Sequence, residues 1–249
     1  MSQASVALVV PCFDEEARLD RSAFLALVDD APCLNLVFVD DGSRDQTLAI
    51  LHAMARERPD HIEVVALPKN RGKAEAVRQG LLHALAGPVE IAGFIDADLS
   101  TPPAEIRRLT ELAQAEAHDV LMGSRVQLLG RAINRKSARH YLGRIFATCA
   151  SLSLGLPVYD TQCGAKLFRR TQALAEALRE PFSSRWAFDV ELLARLIRPR
   201  AGILAIPVAR IWEEPLLTWT DVPGSKMRLA AALWTALELA RIGWKLRRR

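Results

Sequence analysis

Residues Ile91-Ala92-Gly93-Phe94-Ile95 are uniformly apolar, and the run stops at Asp96-Ala97-Asp98-Leu99-Ser100. A short continuous apolar run of this kind reads as a buried strand. Residues 6–10 form a second such run, leaving through Pro11-Cys12-Phe13-Asp14-Glu15-Glu16-Ala17-Arg18-Leu19 into a helical pattern. Residues 34–39, apolar but for Asn35, form a third, followed by Asp40-Asp41-Gly42-Ser43-Arg44-Asp45-Gln46-Thr47 and a helix marked by Leu48, Ile50, Leu51 and Met54. Three strands that each hand over to an acid-bearing loop and then a helix predict an α/β fold: a mixed, mainly parallel sheet flanked by helices. In such a sheet, ligands collect at the carboxyl ends of the strands.

Side chains two apart on an extended chain project the same way. Asp96 and Asp98 can therefore reach one hard divalent cation, Mg²⁺ or Mn²⁺, whose other positions are left to water and substrate phosphates. The competing reading is a pair of solvated aspartates capping a helix that starts at Thr101-Pro102-Pro103. The carboxylates at the other two strand ends suit hydrogen bonds to a nucleobase and ribose. No glycine-rich phosphate cradle of the dinucleotide or P-loop kind is present.

Taken in order, Pro11-Cys12-Phe13-Asp14-Glu15-Glu16, Val39-Asp40-Asp41-Gly42-Ser43-Arg44-Asp45-Gln46-Thr47, Asn70-Arg71-Gly72-Lys73 and Asp96-Ala97-Asp98 resemble the successive signatures of glycosyltransferase family 2. Four later segments narrow this to the dolichyl-phosphate glucosyltransferase and dolichyl-phosphate mannose synthase branch. They are Gly123-Ser124-Arg125, Asp160-Thr161-Gln162-Cys163-Gly164-Ala165-Lys166-Leu167-Phe168, Trp186-Ala187-Phe188-Asp189-Val190-Glu191-Leu192 and Gly224-Ser225-Lys226-Met227. The resemblance runs from about residue 6 to about residue 241.

It implies a GT-A domain that moves a hexose, expected to be glucose from UDP-glucose, to a polyprenyl phosphate with inversion at the anomeric carbon. Asp98 is the expected direct metal ligand, with Asp96 on the metal or the sugar and Ala97 between them. Ser100 falls where some relatives carry a glutamine ligand, so water is expected to complete the shell. Pro11, Phe13, Glu15 and Asp41 are expected around base and ribose with Lys73 nearby, Arg125 and Arg139 on phosphates, and Lys226 as a loop lysine closing on phosphate. Asp189 is the candidate base: a hydroxyl acceptor needs one, whereas a lipid phosphate is already anionic at neutral pH. A helix-capping role for Asp189 is the plain alternative.

With 249 residues, half of them hydrophobic, the chain can bury one full α/β core. No linker or repeat divides it, so residues 1–226 are expected to form the catalytic domain and residues 227–249 a basic amphipathic helix. That tail carries Trp234 and Trp244 and ends in Arg247-Arg248-Arg249, which suits the interface of an anionic leaflet; the alternative is a helix that closes the core. Residues 141–158 are apolar enough to line a polyprenyl entry or to serve as a core helix. No run of about eighteen apolar residues suggests a transmembrane span.

Cys12, Cys33, Cys149 and Cys163 match neither a zinc nor a redox spacing, and together with the amino terminus suggest a cytoplasmic protein, peripheral on the inner membrane face. The net charge of +4 owes much to Arg125, Arg131, Arg135, Lys136, Arg139 and Arg144. A nucleic-acid groove would want stacking aromatics among them, and phosphates of donor and lipid account for the cluster better. Three other readings stay open: transfer to a glycan or lipid hydroxyl, a nucleotidyltransferase, which would want a glycine-rich first loop, and a non-catalytic nucleotide-sugar sensor.

Overall fold

The computed structural model describes residues 4–134, 137–185 (side chains excepted at 137–142 and 145), 187–198 and 202–222. Strands and helices alternate through the first half: β1 (Val6–Cys12), α1 (Arg21–Asp30), β2 (Leu34–Asp40), α2 (Thr47–Glu57), β3 (Ile62–Ala66), α3 (Lys73–Ala86), β4 (Ile91–Phe94), α4 (Pro103–Ala115) and β5 (Val120–Ser124). The second half is less regular: β6 (Ala132–Asn134), α5 (Ser137–Leu154), β7 (Lys166–Arg169), α6 (Gln172–Arg179), α7 (Phe188–Ile197), β8 (Ile211–Pro215) and β9 (Thr218–Thr220). The tail at 227–249 and Lys226 lie outside the described residues.

Seven strands form one sheet in the order β3-β2-β1-β4-β7-β5-β8, and β6 pairs with β9 beside it. β1, β2, β3 and β4 are mutually parallel; β7 runs antiparallel between β4 and β5, and β8 is parallel to β5. The mixed, mainly parallel sheet is therefore as the sequence predicts. Strand order reverses between β1 and β4, because β1 leads outward to β2 and β3 on one side and β4 fills the other. Such a switch point leaves a crevice beyond the carboxyl ends of the two strands. Pro11 and Phe13 leave β1 at that crevice, and Asp96 and Asp98 leave β4.

The central strands are covered on both faces, which explains why β1 and β4 read as apolar runs. On β1, Ala7 and Val9 join a core with α3, α6 and α7, while Val6, Leu8 and Val10 join another with α1, α2 and α4. Phe94 of β4 lies 6.3 Å from Phe168 of β7 and 5.8 Å from Phe188 of α7, between ring centres. These rings bind the central strand to the second half of the chain.

Local signals set the helix starts. The sequence leads from Arg18-Leu19 into a helix, but there Glu15 O accepts the amides of Arg18 and Leu19, making a turn. The helix starts at Arg21, where the Asp20 carboxylate caps Ala23 N at 3.0 Å. Helix α5 covers most of the 141–158 stretch, burying Ala147, Ala150 and Leu154 and exposing Leu152. It is thus at least in part a core helix. Among the described residues no helix is long and apolar enough to cross a membrane.

Gly80 lies within α3, where alanine ordinarily gains about 1 kcal/mol over glycine. Here a Cβ would overlap the Val9 side chain and come within 2.8 Å of Val39 Cγ2. Overpacking costs about 1–3 kcal/mol, so the usual sign reverses. Gly80→Ala is expected to lower stability by about 1–2 kcal/mol in urea denaturation; a gain would contradict this packing.

Candidate active site

The first wall of the crevice is built by two loops that hold each other. Asp14 N donates to Ser43 Oγ at 3.0 Å, Arg44 N to Asp14 Oδ1 at 2.8 Å, and Glu15 N to Thr47 Oγ1 at 2.8 Å. Glu15 is buried and paired with Arg18. Pro11 and Phe13 remain half-buried at the crevice.

Asp41 ties this wall to the next loop. Its two oxygens accept the amides of Arg71 and Gly72, each at 2.7 Å, while its own amide donates to Cys12 O at 2.8 Å. Burial pushes its carboxyl above the ordinary range, against the pull of those two amides and the Arg185 charge. Gly42 makes the junction possible. Its φ of 70° lies in the left-handed region, and a Cβ would come within 2.7 Å of Asn70 N. The expectation placed Asp41 at base and ribose; in the structure it braces the loop that delivers Lys73.

Lys73 opens α3 and makes a close ion pair with Asp96 Oδ1. Burial draws the Lys73 ammonium down, and the carboxylates of Asp96, Asp189 and Asp98 more than offset it, holding the lysine above its usual range. Gly164 lies against the Asp96 carboxylate, where any Cβ would overlap it. Asp98 is half-buried, with one oxygen accepting Ser100 N at 3.1 Å and the other taking no hydrogen bond among the described residues. Leu99, between them, adopts φ 50°, a strained conformation costing about 1–3 kcal/mol of the kind that clusters at functional sites. Thr101 and Ser100 are buried, and α4 starts with Pro103 in its first turn without a side-chain cap. The capping alternative for Asp96 and Asp98 therefore finds no support.

Two carboxylates at one strand end are hard oxygen donors that suit Mg²⁺ or Mn²⁺. Among the described residues no cluster of three or more His, Cys, Asp or Glu could hold a metal. A cation here would take Asp98, share Asp96 with Lys73, and complete its shell from outside the chain.

The far wall comes from β5, β7 and α7. Lys166 is fully buried; its ammonium donates to Asp189 Oδ1 at 2.7 Å and to Cys163 O at 2.5 Å, and lies 5.2 Å from the centre of the Phe94 ring. Asp189, in the first turn of α7, is thereby tied to an ammonium. It lies within the first turn of α7 rather than at the cap position, Ala187, and its side-chain bond is to Lys166. Arg125, expected on phosphate, has a partner within the chain. It is bidentate on Asp160, Nε to Oδ2 at 2.7 Å and Nη2 to Oδ1 at 2.9 Å, and stacks 5.3 Å from the centre of Trp219. Asp160 and the neighbouring charges hold this arginine well above its ordinary range despite its burial. Burial pushes the Cys163 thiol up to about 11, so it is an inert core group. Arg139 belongs to α5, but its side chain, like Lys226, lies outside the described residues.

Lys166, Asp160 and Gly164 stand in a run already noted in the sequence, but carry no assigned role there. The available signal was a lysine between Ala165 and the apolar pair Leu167-Phe168, which buries only with a partner. Removing one member of a buried ion pair costs about 3–5 kcal/mol, because the other charge is left uncompensated. Lys166→Met is expected to lose about that much in urea denaturation, and adding Asp189→Leu should restore a large part of it. Additive losses would show the pair is not coupled.

A family model described as "Glycosyl transferase family 2" matches residues 7–174. The chain is 30% identical to the dolichyl-phosphate beta-glucosyltransferase of Homo sapiens, over 95% of this chain and 72% of that protein. It is also 30% identical to that of Saccharomyces cerevisiae, over 90% and 70%. Among solved structures, glucosyl-3-phosphoglycerate synthase from Mycobacterium tuberculosis in complex with Mn²⁺, UDP and glucosyl-3-phosphoglycerate superposes with a TM-score of 0.69 at 19% identity, covering 98% of this chain and 80% of that one. That likeness shows the fold. With its switch-point crevice, its paired strand-end aspartates and this match over most of its length, the chain belongs to glycosyltransferase family 2.

Proposed function

We propose that the protein transfers glucose from UDP-glucose to a polyprenyl phosphate at a membrane surface, with inversion at the anomeric carbon. The observation that carries the acceptor class is the bond from Lys166 to Asp189. Attack by a hydroxyl needs a carboxylate able to take a proton as the bond forms. Asp189, the acid at the expected base position, gives its Oδ1 to the buried Lys166 ammonium as a structural ion pair. A phosphate monoester arrives anionic and needs no base. The relatives named for dolichyl phosphate support the same reading.

On this reading Pro11, Phe13 and Glu15 line the base and ribose side, and Asp41 fixes the loop that presents Lys73. Asp98, with Asp96, would hold a divalent cation, which would supply neutralisation of the charge growing on the departing diphosphate. UDP and Mn²⁺ together in the superposed structure support that choice of ligands. Lys73 orients Asp96 and keeps positive charge at the diphosphate side of the crevice. Arg125, braced by Asp160, fixes the end of β5, and Arg139 and Lys226 are the further proposed contacts to phosphate.

Two measurements test this. Asp98→Ala should abolish transfer, and the parent should lose activity in chelator and regain it with Mn²⁺ or Mg²⁺; full activity in chelator would refute the metal assignment. Asp189→Asn should lower the rate by about tenfold or less with donor affinity unchanged, whereas loss of a true general base costs about 10²–10⁴-fold. A loss in that larger range, in a folded protein, would favour a hydroxyl acceptor.

A further inference from the structure

We infer that the tip of the β5–β6 loop, Leu128-Leu129, together with Leu217 in the β8–β9 turn, seats in the interface of an anionic bilayer beside the active site. The inference rests on the proposed lipid acceptor and adds the surface that meets its membrane. Leu129 is fully exposed, Leu128 is 48% exposed and Leu217 36%. They belong to one construction: Arg131 N closes the turn on Leu128 O at 3.1 Å, and Ala132 N donates to Leu217 O at 2.8 Å. Gly130, at φ 79°, turns the chain with nothing within 4 Å of where its Cβ would be. A single exposed leucine needs no explanation, but here a tight turn holds two neighbours outward and a second turn adds a third.

Position selects the membrane side. β4 and β5 are both antiparallel to β7, so they point the same way. The loop leaving Ser124 and Arg125 therefore emerges from the sheet edge that carries Asp96 and Asp98. Leu204, Val208 and Trp212 are also exposed, but they precede or begin β8, which is parallel to β5, and so belong to the opposite edge.

Charge selects the occupant. From residue 126 to residue 159 there is no Asp or Glu, while Arg131, Arg135, Lys136, Arg139 and Arg144 all fall within that stretch. Arg131 makes no ion pair among the described residues and stands two positions after Leu129. Apolar side chains at a tip, in a segment whose charges are all basic and with Arg131 two positions on in the chain, match acyl chains beneath anionic headgroups.

Cosedimentation of the full chain with phosphatidylglycerol-containing vesicles, against pure phosphatidylcholine vesicles, tests the inference. The parent should prefer the anionic vesicles, and Leu128→Ser with Leu129→Ser should bind them roughly tenfold or more weakly, with an unchanged thermal melt. A second variant, Leu129→Trp, should show an emission blue shift on adding the vesicles beyond any shown by the parent, which carries five tryptophans of its own. Transfer to a short, water-soluble prenyl phosphate should be unaffected in the serine variant. A parent that ignores anionic vesicles, a serine variant that binds as the parent does, or a tryptophan at 129 that stays water-exposed in the bound protein would each overturn the inference. Absence of transfer to the soluble acceptor by the parent would instead count against the proposed function and leave the vesicle result standing.

Discussion

A lysine ammonium with no access to water is tolerated only when its charge is matched, because stranding it costs several kcal/mol. Lys166 meets that condition through Asp189 and Cys163 O, and in doing so joins β7 to the start of α7 behind the end of β4. Asp189 in turn acts on Lys73, which holds Asp96. Positive and negative charges thus alternate from the sheet interior to the crevice. Asp98 is the member left with an oxygen unengaged by the described residues, at the mouth of this row. The geometry of the site depends on that ordering more than on any single loop.

The first half of the chain was legible because its signals are local. Each strand ends within a few residues of its acids, and the near-continuous burial of β1 and β2 follows from their apolar runs, broken only by Asn35 in β2. The order of strands in the second half was not legible. β7 inserts antiparallel between β4 and β5, and nothing in a four-residue run such as Lys166-Leu167-Phe168-Arg169 states its direction.

Roles that depend on partners from distant segments were also hidden. Arg125 looks in the sequence like a phosphate ligand, yet Asp160 occupies its fork. Asp41 looks like a ribose contact, yet its oxygens receive the amides of Arg71 and Gly72. In both cases the partners within the chain lie about thirty residues away in sequence, so the bracing they provide could not be read locally. Gly164 shows the converse: its lack of a side chain has meaning only once Asp96 is seen against it. The family resemblance drawn from ordered motifs was correct, and the match over residues 7–174 shows it.

A site whose candidate base is bound to an ammonium is suited to an acceptor that carries its own negative charge. The direct measurement offers the protein labelled UDP-glucose and Mn²⁺ with either undecaprenyl phosphate or the corresponding free alcohol, and follows label into organic solvent. The account predicts extractable glucose with the phosphate and none with the alcohol. Equal or greater transfer to the alcohol would contradict it.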